Sequence, residues 1–309
     1  MAAVTASMVK ELREMTGAGM MDCKKALAAT DGDMDKAVDF LREKGLAAAA
    51  KKAGRIAAEG IVKTVVEGKK AAIVEVNSET DFVAKNADFN AYVADVVNQA
   101  LTTTAPDIDA FLAEKWAKDT TKTVAEALSS EIAIIGENLS IRRFAQMEEN
   151  NGFIASYIHM GGKIGVLVDV ETDVINDKIE EMAKNVAMQV AAIKPMYTSE
   201  SEVDADYIAK EQEILTAAAK NEKPDANDKI IEGMVKGRIK KELKEICLLD
   251  QTYVKAEDGK QSVGAYVAEV AKANGAKITI KGFVRYETGE GLEKKNDDFA
   301  AEVAAQAGL

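Results

Sequence analysis

A chain of 309 residues is long enough for two or more cores, since domains usually run to about 100–200 residues. Aromatics make up 5% of it and proline occurs three times, while alanine, lysine and glutamate abound; this favours a helix-rich protein with modest strand content and little disordered linker. A net charge of −12 excludes a general nucleic-acid binder, because neutralising phosphates needs a basic surface, and points to a protein partner or a small ligand.

Cys23 and Cys247 lie far apart with no CxxC pair, and His159 is the only histidine, so the sequence holds neither a zinc-ligand spacing nor a disulfide framework. No metal or cofactor is expected. MAAVTASMVKEL lacks a charged stretch followed by an apolar one, and no segment approaches the roughly 20 apolar residues that span a bilayer. The expectation is a cytoplasmic chain that engages no membrane.

In chain order, residues 1–45 read as three short helices: Met8, Leu12 and Met15 space one apolar face, Cys23 and Leu27 a second, and Met34, Val38 and Leu41 a third. Residues 46–59, LAAAAKKAGRIAAE, read as a basic helical connector carrying Lys51, Lys52 and Arg55 rather than as a core element. A repeat follows. GIVKTVVEGKKAAIVEVNSETD from Gly60 matches GFIASYIHMGGKIGVLVDVETD from Gly152, each a strand, a turn, a second strand and then ETD. Each copy runs on into an amphipathic helix, with Phe89, Val93, Val96, Val97 and Ala100 sharing one face in the first and Ile179, Met182, Ala183, Val186 and Val190 in the second. LSIRRFAQM at 139–147 and AKITIKGFVRYE at 276–287 supply a third strand each. The expected class is α+β, a duplicated core of two small antiparallel sheets covered by helices. Core subdomain 1 spans 60–148, and subdomain 2 is assembled from 149–198 and 248–288.

Between the two parts of subdomain 2, residues 199–247 read as an inserted helical hairpin turning at Pro224. Ile208, Leu215 and Ala219 line one arm, and Ile231, Val235, Ile239, Leu243 and Ile246 the other, a stripe suited to coiled-coil packing. The arms either cover each other or form the contact of a homodimer. Residues 289–309 read as a terminal helical module.

A functional candidate emerges from comparing the copies. Aligning VEV with VDV sets Val74 against Val168 and Val76 against Val170, whereas aligning the ETD triplets requires two extra residues, Asn77 and Ser78, in the first copy. On that alignment Asp81 matches Asp173 and reads as a turn or cap residue, while Phe82 stands where the second copy has Val174. Two readings of Phe82 remain open: it packs back into the first subdomain, or a lengthened turn holds it out for a partner.

LREMTGAGMMDCKKAL at 12–27 and EVNSETDFVAKN at 75–86 resemble the two signature stretches of the bacterial elongation factor Ts family. The resemblance covers the whole chain, including the hairpin, GFVRYETGEGLEK and the terminal DDFAAEVAAQ, with one departure: residues 103–131, containing Trp116, are longer than the family's usual connection. It implies a guanine-nucleotide exchange factor that binds elongation factor Tu and releases its GDP without chemistry on the nucleotide. It assigns Thr80, Asp81, Phe82 and Val83 to the partner's nucleotide domain near its magnesium site, with Phe82 as a wedge. It also assigns Arg13, Met20 and Met21, on a module resembling a ubiquitin-associated three-helix fold, and His159, at the second hairpin turn, to further partner contacts. Phe299, Val303 and Ala304 on the last helix are weaker candidates.

Read without the resemblance, paired methionines at helical spacing are core, a lone surface histidine is unremarkable, and Cys23 is a small buried hydrophobe. The acids of SETD and VETD raise the rival of an acid–base or metal enzyme, but no nucleophile or second histidine accompanies them. A passive dimeric scaffold is the other rival, and it leaves Phe82 unexplained.

Overall fold

The computed structural model describes residues 4–16 and 18–293. Helices α1 (Ala6–Thr16), α2 (Met20–Ala29) and α3 (Met34–Lys52) form a head around buried Val9, Leu12, Cys23, Ala26, Leu27 and Ala37. The Asp33 carboxylate starts α3 by accepting from the Lys36 amide at 3.0 Å. Two expectations fail here. Met15 is 58% exposed rather than part of the head's core. The third helix does not stop near 45, and the alanine-rich stretch is no free connector. Small side chains let it approach a later helix closely, so Gly45 is buried against the backbone of Ser129 and Ala49 packs on the first sheet's core.

The first core unit runs β1 (Glu59–Glu67), β2 (Lys70–Ser78), a one-turn helix α4 (Asp81–Ala84), α5 (Ala87–Thr102), α6 (Ile108–Ala113), β3 (Lys115–Trp116), β4 (Asp119–Thr123), α7 (Val124–Ile135) and β5 (Ser140–Glu148). The second runs β6 (Gly152–His159), β7 (Ile164–Thr172), α8 (Asp177–Ile193), a hairpin of α9 (Ala205–Glu222) and α10 (Asp228–Ile246), then α11 (Val263–Asn274) and β8 (Ile278–Glu287). The sheets are antiparallel, in the orders β1-β2-β5 and β6-β7-β8, and both central strands carry a register shift, at Glu75/Val76 and Asp169/Val170.

The near-continuous apolar runs of the central strands follow from burial on both faces. Ala72, Val74 and Val76 face the helices of the first unit, and Val166, Val168 and Val170 those of the second. The alternate residues Ala71, Ile73 and Leu167 meet between the sheets, with Val62 and Ile154, in one shared apolar layer. Contact there is close enough that a Cβ on Gly165 would collide with Val62. The fully buried Glu75 carboxylate adds a polar tie. It accepts from Arg143 Nε at 2.6 Å, Arg142 Nη1 at 3.1 Å and the Gly289 amide beyond β8 at 2.8 Å.

The repeat extends further than its two hairpins. Buried Gln99 on α5 donates to Lys115 O at 3.0 Å and accepts from the Ala117 amide at 2.9 Å; Gln189 on α8 donates to Thr252 O at 3.1 Å and accepts from the Val254 amide at 2.9 Å. Thr123 and Ser262 cap α7 and α11 in the same way, each helix leading into the third strand of its sheet. Residues 103–131 are therefore an integral part of the first core, where Trp116 packs on Tyr92 at 5.8 Å between ring centroids and Phe111 on Phe144 at 5.0 Å.

In the inserted hairpin Ala219, Ile231 and Val235 are buried between the arms, with Leu215, Met234 and Ile239 half-covered around them. Arg238 pairs with Glu222 at 2.6 Å and Tyr207 donates to Glu242 at 2.6 Å, joining the arms at either end. Ile214 and Ile230 stay exposed. The expected last helix, with Phe299, Val303 and Ala304, lies outside the described residues.

Candidate functional site

Strand β2 carries the chain to Ser78, whose hydroxyl donates to Thr80 O at 2.9 Å and bends the backbone out of the sheet. Glu79 then turns inward: its carboxylate accepts from the Asn138 amide at 2.6 Å and from Arg55 at 3.4 Å. The Thr80 amide and hydroxyl both donate to the Glu137 carboxylate, at 3.0 and 2.7 Å. At the far end of α4 the Asn90 side chain donates from Nδ2 to Ala84 O at 2.8 Å, and Asn86 caps α5 by accepting from the Asp88 and Phe89 amides at 2.8 and 3.1 Å. The one-turn helix is thus tied at both ends.

Within that turn the side chains divide. Val83 is buried in the first core at 8% exposure, whereas Phe82 is 79% exposed. Asp81 pairs with Lys85 one helical turn on at 2.7 Å; that hydrogen bond, with Lys163 as a more distant positive charge, holds its carboxyl below the usual range. The Lys85 ammonium lies 5.9 Å from the centre of the Phe82 ring. Of the two sequence readings of Phe82, the outward one is the geometry found. Two assignments change: Val83 is an anchor rather than a surface contact, and Thr80 is occupied by Glu137.

The pairing of Asp81 with Asp173 is also overturned. Hydrogen bonds match Ser78 with Thr172, whose hydroxyl reaches Val174 O at 2.9 Å, and Glu79 with Asp173, which accepts from the Lys277 amide at 2.8 Å. Asn86 matches Asn176, which caps α8 through the Lys178 and Ile179 amides. Asn77 and Ser78 therefore belong to the ordinary strand. The insertion falls after Thr80, where the first copy places residues 81–85 and the second places Ile175 alone between Val174 and Asn176. Its product is α4 itself, so Asp81 and Phe82 have no counterpart in the second unit. The ETD triplets coincide in letters only.

The other expected site residues sit on separate elements. Arg13, exposed on α1, lines a groove of about 310 Å3 between the head and α7. Met20 and Met21 open α2 and are 56% and 63% exposed, so neither is core; with Met15 they make three solvent-facing methionines. His159 ends β6, exposed, with Nδ1 2.8 Å from the Tyr157 hydroxyl. Met160, 73% exposed beside it, drew no attention in the sequence. The hairpin turn that follows docks on the first sheet, the Val62 amide donating to Gly162 O at 2.7 Å. Sequence reasoning also missed Glu79 and Glu137, whose partners lie nearly sixty residues away, beyond any local pattern.

Among the described residues no three acidic, histidine or cysteine side chains cluster in a way that could hold a metal, and no helix is long and apolar enough to cross a membrane. Cys23 and Cys247 are both buried free thiols.

Fold and site together define an α+β protein with a three-helix head, a duplicated sheet core and one projecting aromatic turn that the second copy lacks. The chain belongs to the elongation factor Ts family: the family model for elongation factor TS matches residues 79–290. It is 56% identical over 308 residues to the elongation factor Ts of Clostridioides difficile strain 630, with 99% of each chain covered. Elongation factor Ts of Clostridium botulinum strain Eklund 17B is 52% identical over 308 residues, again with 99% of each chain covered. That of Clostridium tetani strain Massachusetts is 52% identical over 306 residues, covering 98% of this chain and 99% of the relative.

Proposed function

We propose that this chain is a guanine-nucleotide exchange factor that binds elongation factor Tu and drives GDP out by inserting Phe82 near the partner's magnesium and phosphate site. Family membership implies nucleotide exchange for elongation factor Tu; the observation that supports the means is a phenylalanine 79% exposed on a helical turn pinned at both ends. Bound GDP depends on phosphate-loop donors and a magnesium ion held in narrow geometry. Burying a phenylalanine releases about 1.5–3 kcal/mol. If that burial is open to Phe82 only once the partner's magnesium-side elements have shifted, the same energy is subtracted from GDP affinity. Reciprocity makes bound nucleotide weaken the factor's hold in turn, so the factor leaves after GTP enters. No bond of the nucleotide is made or broken, and the factor has no chemical active site.

Arg13, Met20 and Met21 on the head and His159 at the β6 tip serve in this reading as distal contacts that hold the partner while the turn acts, with Asp81 beside Phe82. The adaptable methionine side chains suit such a surface. The hairpin at 199–247 serves as a homodimer contact, its exposed Ile214 and Ile230 offering apolar surface beyond what the arms cover. A net charge of −12 is consistent with a protein partner and no nucleic acid, and the setting is the cytoplasm.

Stopped-flow release of fluorescent GDP from elongation factor Tu tests the proposal. Phe82→Ala should slow factor-driven release about ten- to hundredfold, the equivalent of the lost burial. Its circular dichroism should stay unchanged, because the ring is 79% exposed and lies outside the core. An unchanged rate would leave the wedge without a role.

A further inference from the structure

We infer that Glu137 is the positioning residue for Phe82, the backing that keeps the turn from yielding when the ring meets resistance; this rests on the exchange reading above. A wedge transmits displacement only if its own mounting is stiffer than what it displaces. The mounting here is a crossed pair of carboxylates. Glu79, at the end of β2, accepts from the Asn138 amide at 2.6 Å, and Glu137, one residue before Asn138, reaches back to accept from the Thr80 amide at 3.0 Å and hydroxyl at 2.7 Å. Each of two adjacent chain segments thus grips the other's backbone, and Thr80 is the last residue before α4. Charge-assisted bonds of this kind are the stronger ones, and two on one carboxylate fix orientation as well as distance.

The second copy serves as an internal control. Its Asp173 keeps the grip that Glu79 makes, on the Lys277 amide at 2.8 Å. The position of Thr80 is taken there by Val174, which has no hydroxyl and gives its amide to Thr172 Oγ1 at 3.3 Å, and that of Glu137 by Ala276, which has no carboxylate to accept with. The same unit has no one-turn helix and no projecting aromatic. The Glu79-type bond therefore belongs to the shared fold, whereas the Glu137–Thr80 bond occurs only where a turn has to be held out. Thr80 makes no side-chain cap on α4 although it holds the N-cap position; its hydroxyl donates to Glu137 instead of facing the first amides of the helix. Val83 anchors the inner side of the turn, which leaves Glu137 to restrain the edge nearest the sheet.

Four proteins decide the matter: Phe82→Ala, Glu137→Ala, Glu137→Gln and the double variant Phe82→Ala/Glu137→Ala, each assayed for maximal GDP release from elongation factor Tu and for half-saturating factor concentration. Glu137→Ala should lower the maximal rate about tenfold, the worth of a lost charged hydrogen bond. Its half-saturating concentration should hold within about twofold, because the wide interface is untouched. Exchange of the Thr80 amide proton should quicken while the melting temperature falls by no more than about 4 °C. Glu137→Gln should recover most of the rate, since its amide oxygen still accepts from the Thr80 N–H. The double variant should be no slower than Phe82→Ala alone. A full rate for Glu137→Ala, or an equal slowing in both backgrounds, would overturn the inference while leaving the wedge in place. A wild-type rate for Phe82→Ala would instead sink the wedge and its backing together. Should Glu137→Ala fold poorly, Glu137→Leu removes both acceptors while keeping the bulk of the side chain: a reduced rate supports the inference, and a full rate defeats it.

Discussion

The two core units share strands, capped helices and a buried glutamine, yet only the first carries α4. In the first, five residues separate Thr80 from Asn86; in the second, Ile175 alone separates Val174 from Asn176. The second unit shows what this architecture needs in order to fold, and whatever the first has in addition calls for another reason. By that subtraction Gln99, Glu79 and the sheet residues belong to the shared fold, while Asp81, Phe82, Lys85 and the Glu137–Thr80 bond occur in the first unit alone. The units differ again at a polar position on the central strand. Glu75 is neutralised by two arginines, whereas Asp169 faces Glu149 and Glu171 with Lys281 as the cation.

Several substitutions would break or sharpen this comparison. The largest effect should come from the shared apolar layer: Ile73→Ala and Leu167→Ala each delete a fully buried side chain between the sheets and should cost about 2–5 kcal/mol of unfolding free energy. Denaturant titration measures it, and a loss confined to one of the pair would mean that the sheets do not depend on each other equally. Next come the matched glutamines. Gln99→Leu and Gln189→Leu each leave a backbone carbonyl and amide without partners and should lose about 1–3 kcal/mol, by similar amounts if the roles are equivalent.

A smaller effect concerns pH. Burial, then the adjoining Glu149, pushes the Asp169 carboxyl up to about 6, while the Asn151 amide, first among several partners, pulls Glu149 down. The folded state therefore holds the Asp169 proton more tightly than the unfolded chain does. The resulting stabilisation is complete below the ordinary aspartate range and is lost as pH rises through about 6. Asp169→Asn, whose amide can donate to Glu149 at any pH, should thus gain about 1–3 kcal/mol over the parent at pH ~8 and little at pH ~4. Equal differences at both pH values would contradict the upward shift of the Asp169 carboxyl. The smallest effects on folding should be at the head: Met15→Ala, Met20→Ala and Met21→Ala should each shift stability by about 0.5 kcal/mol or less, since all three side chains face solvent.

Much of the fold was legible because its signals are periodic. The repeated strand–turn–strand segments marked β1, β2, β6 and β7, and a 3.6-residue spacing marked α5 and α8. What escaped depends on contacts between distant residues. The alanines of 46–52 read as a connector because small side chains carry no apolar signal, although closeness to α7 is what they provide. The repeated ETD drew the copies into a false match two residues out of step, since letters cannot show which carboxylate grips which amide. Phe82 was singled out but not placed, because an aromatic beside polar residues is compatible with either side of a surface. Val83, next to it, is buried for a reason equally invisible: only the turn of α4 decides which of two adjacent apolar residues faces in.

The most direct test of the account is to make the first unit like the second, replacing residues 81–85 by a single isoleucine, and to follow GDP release from elongation factor Tu alongside thermal unfolding. The account predicts a protein that folds with its sheets intact and still binds its partner through the distal contacts, but whose presence barely accelerates release. Rapid release from that well-folded protein would contradict it.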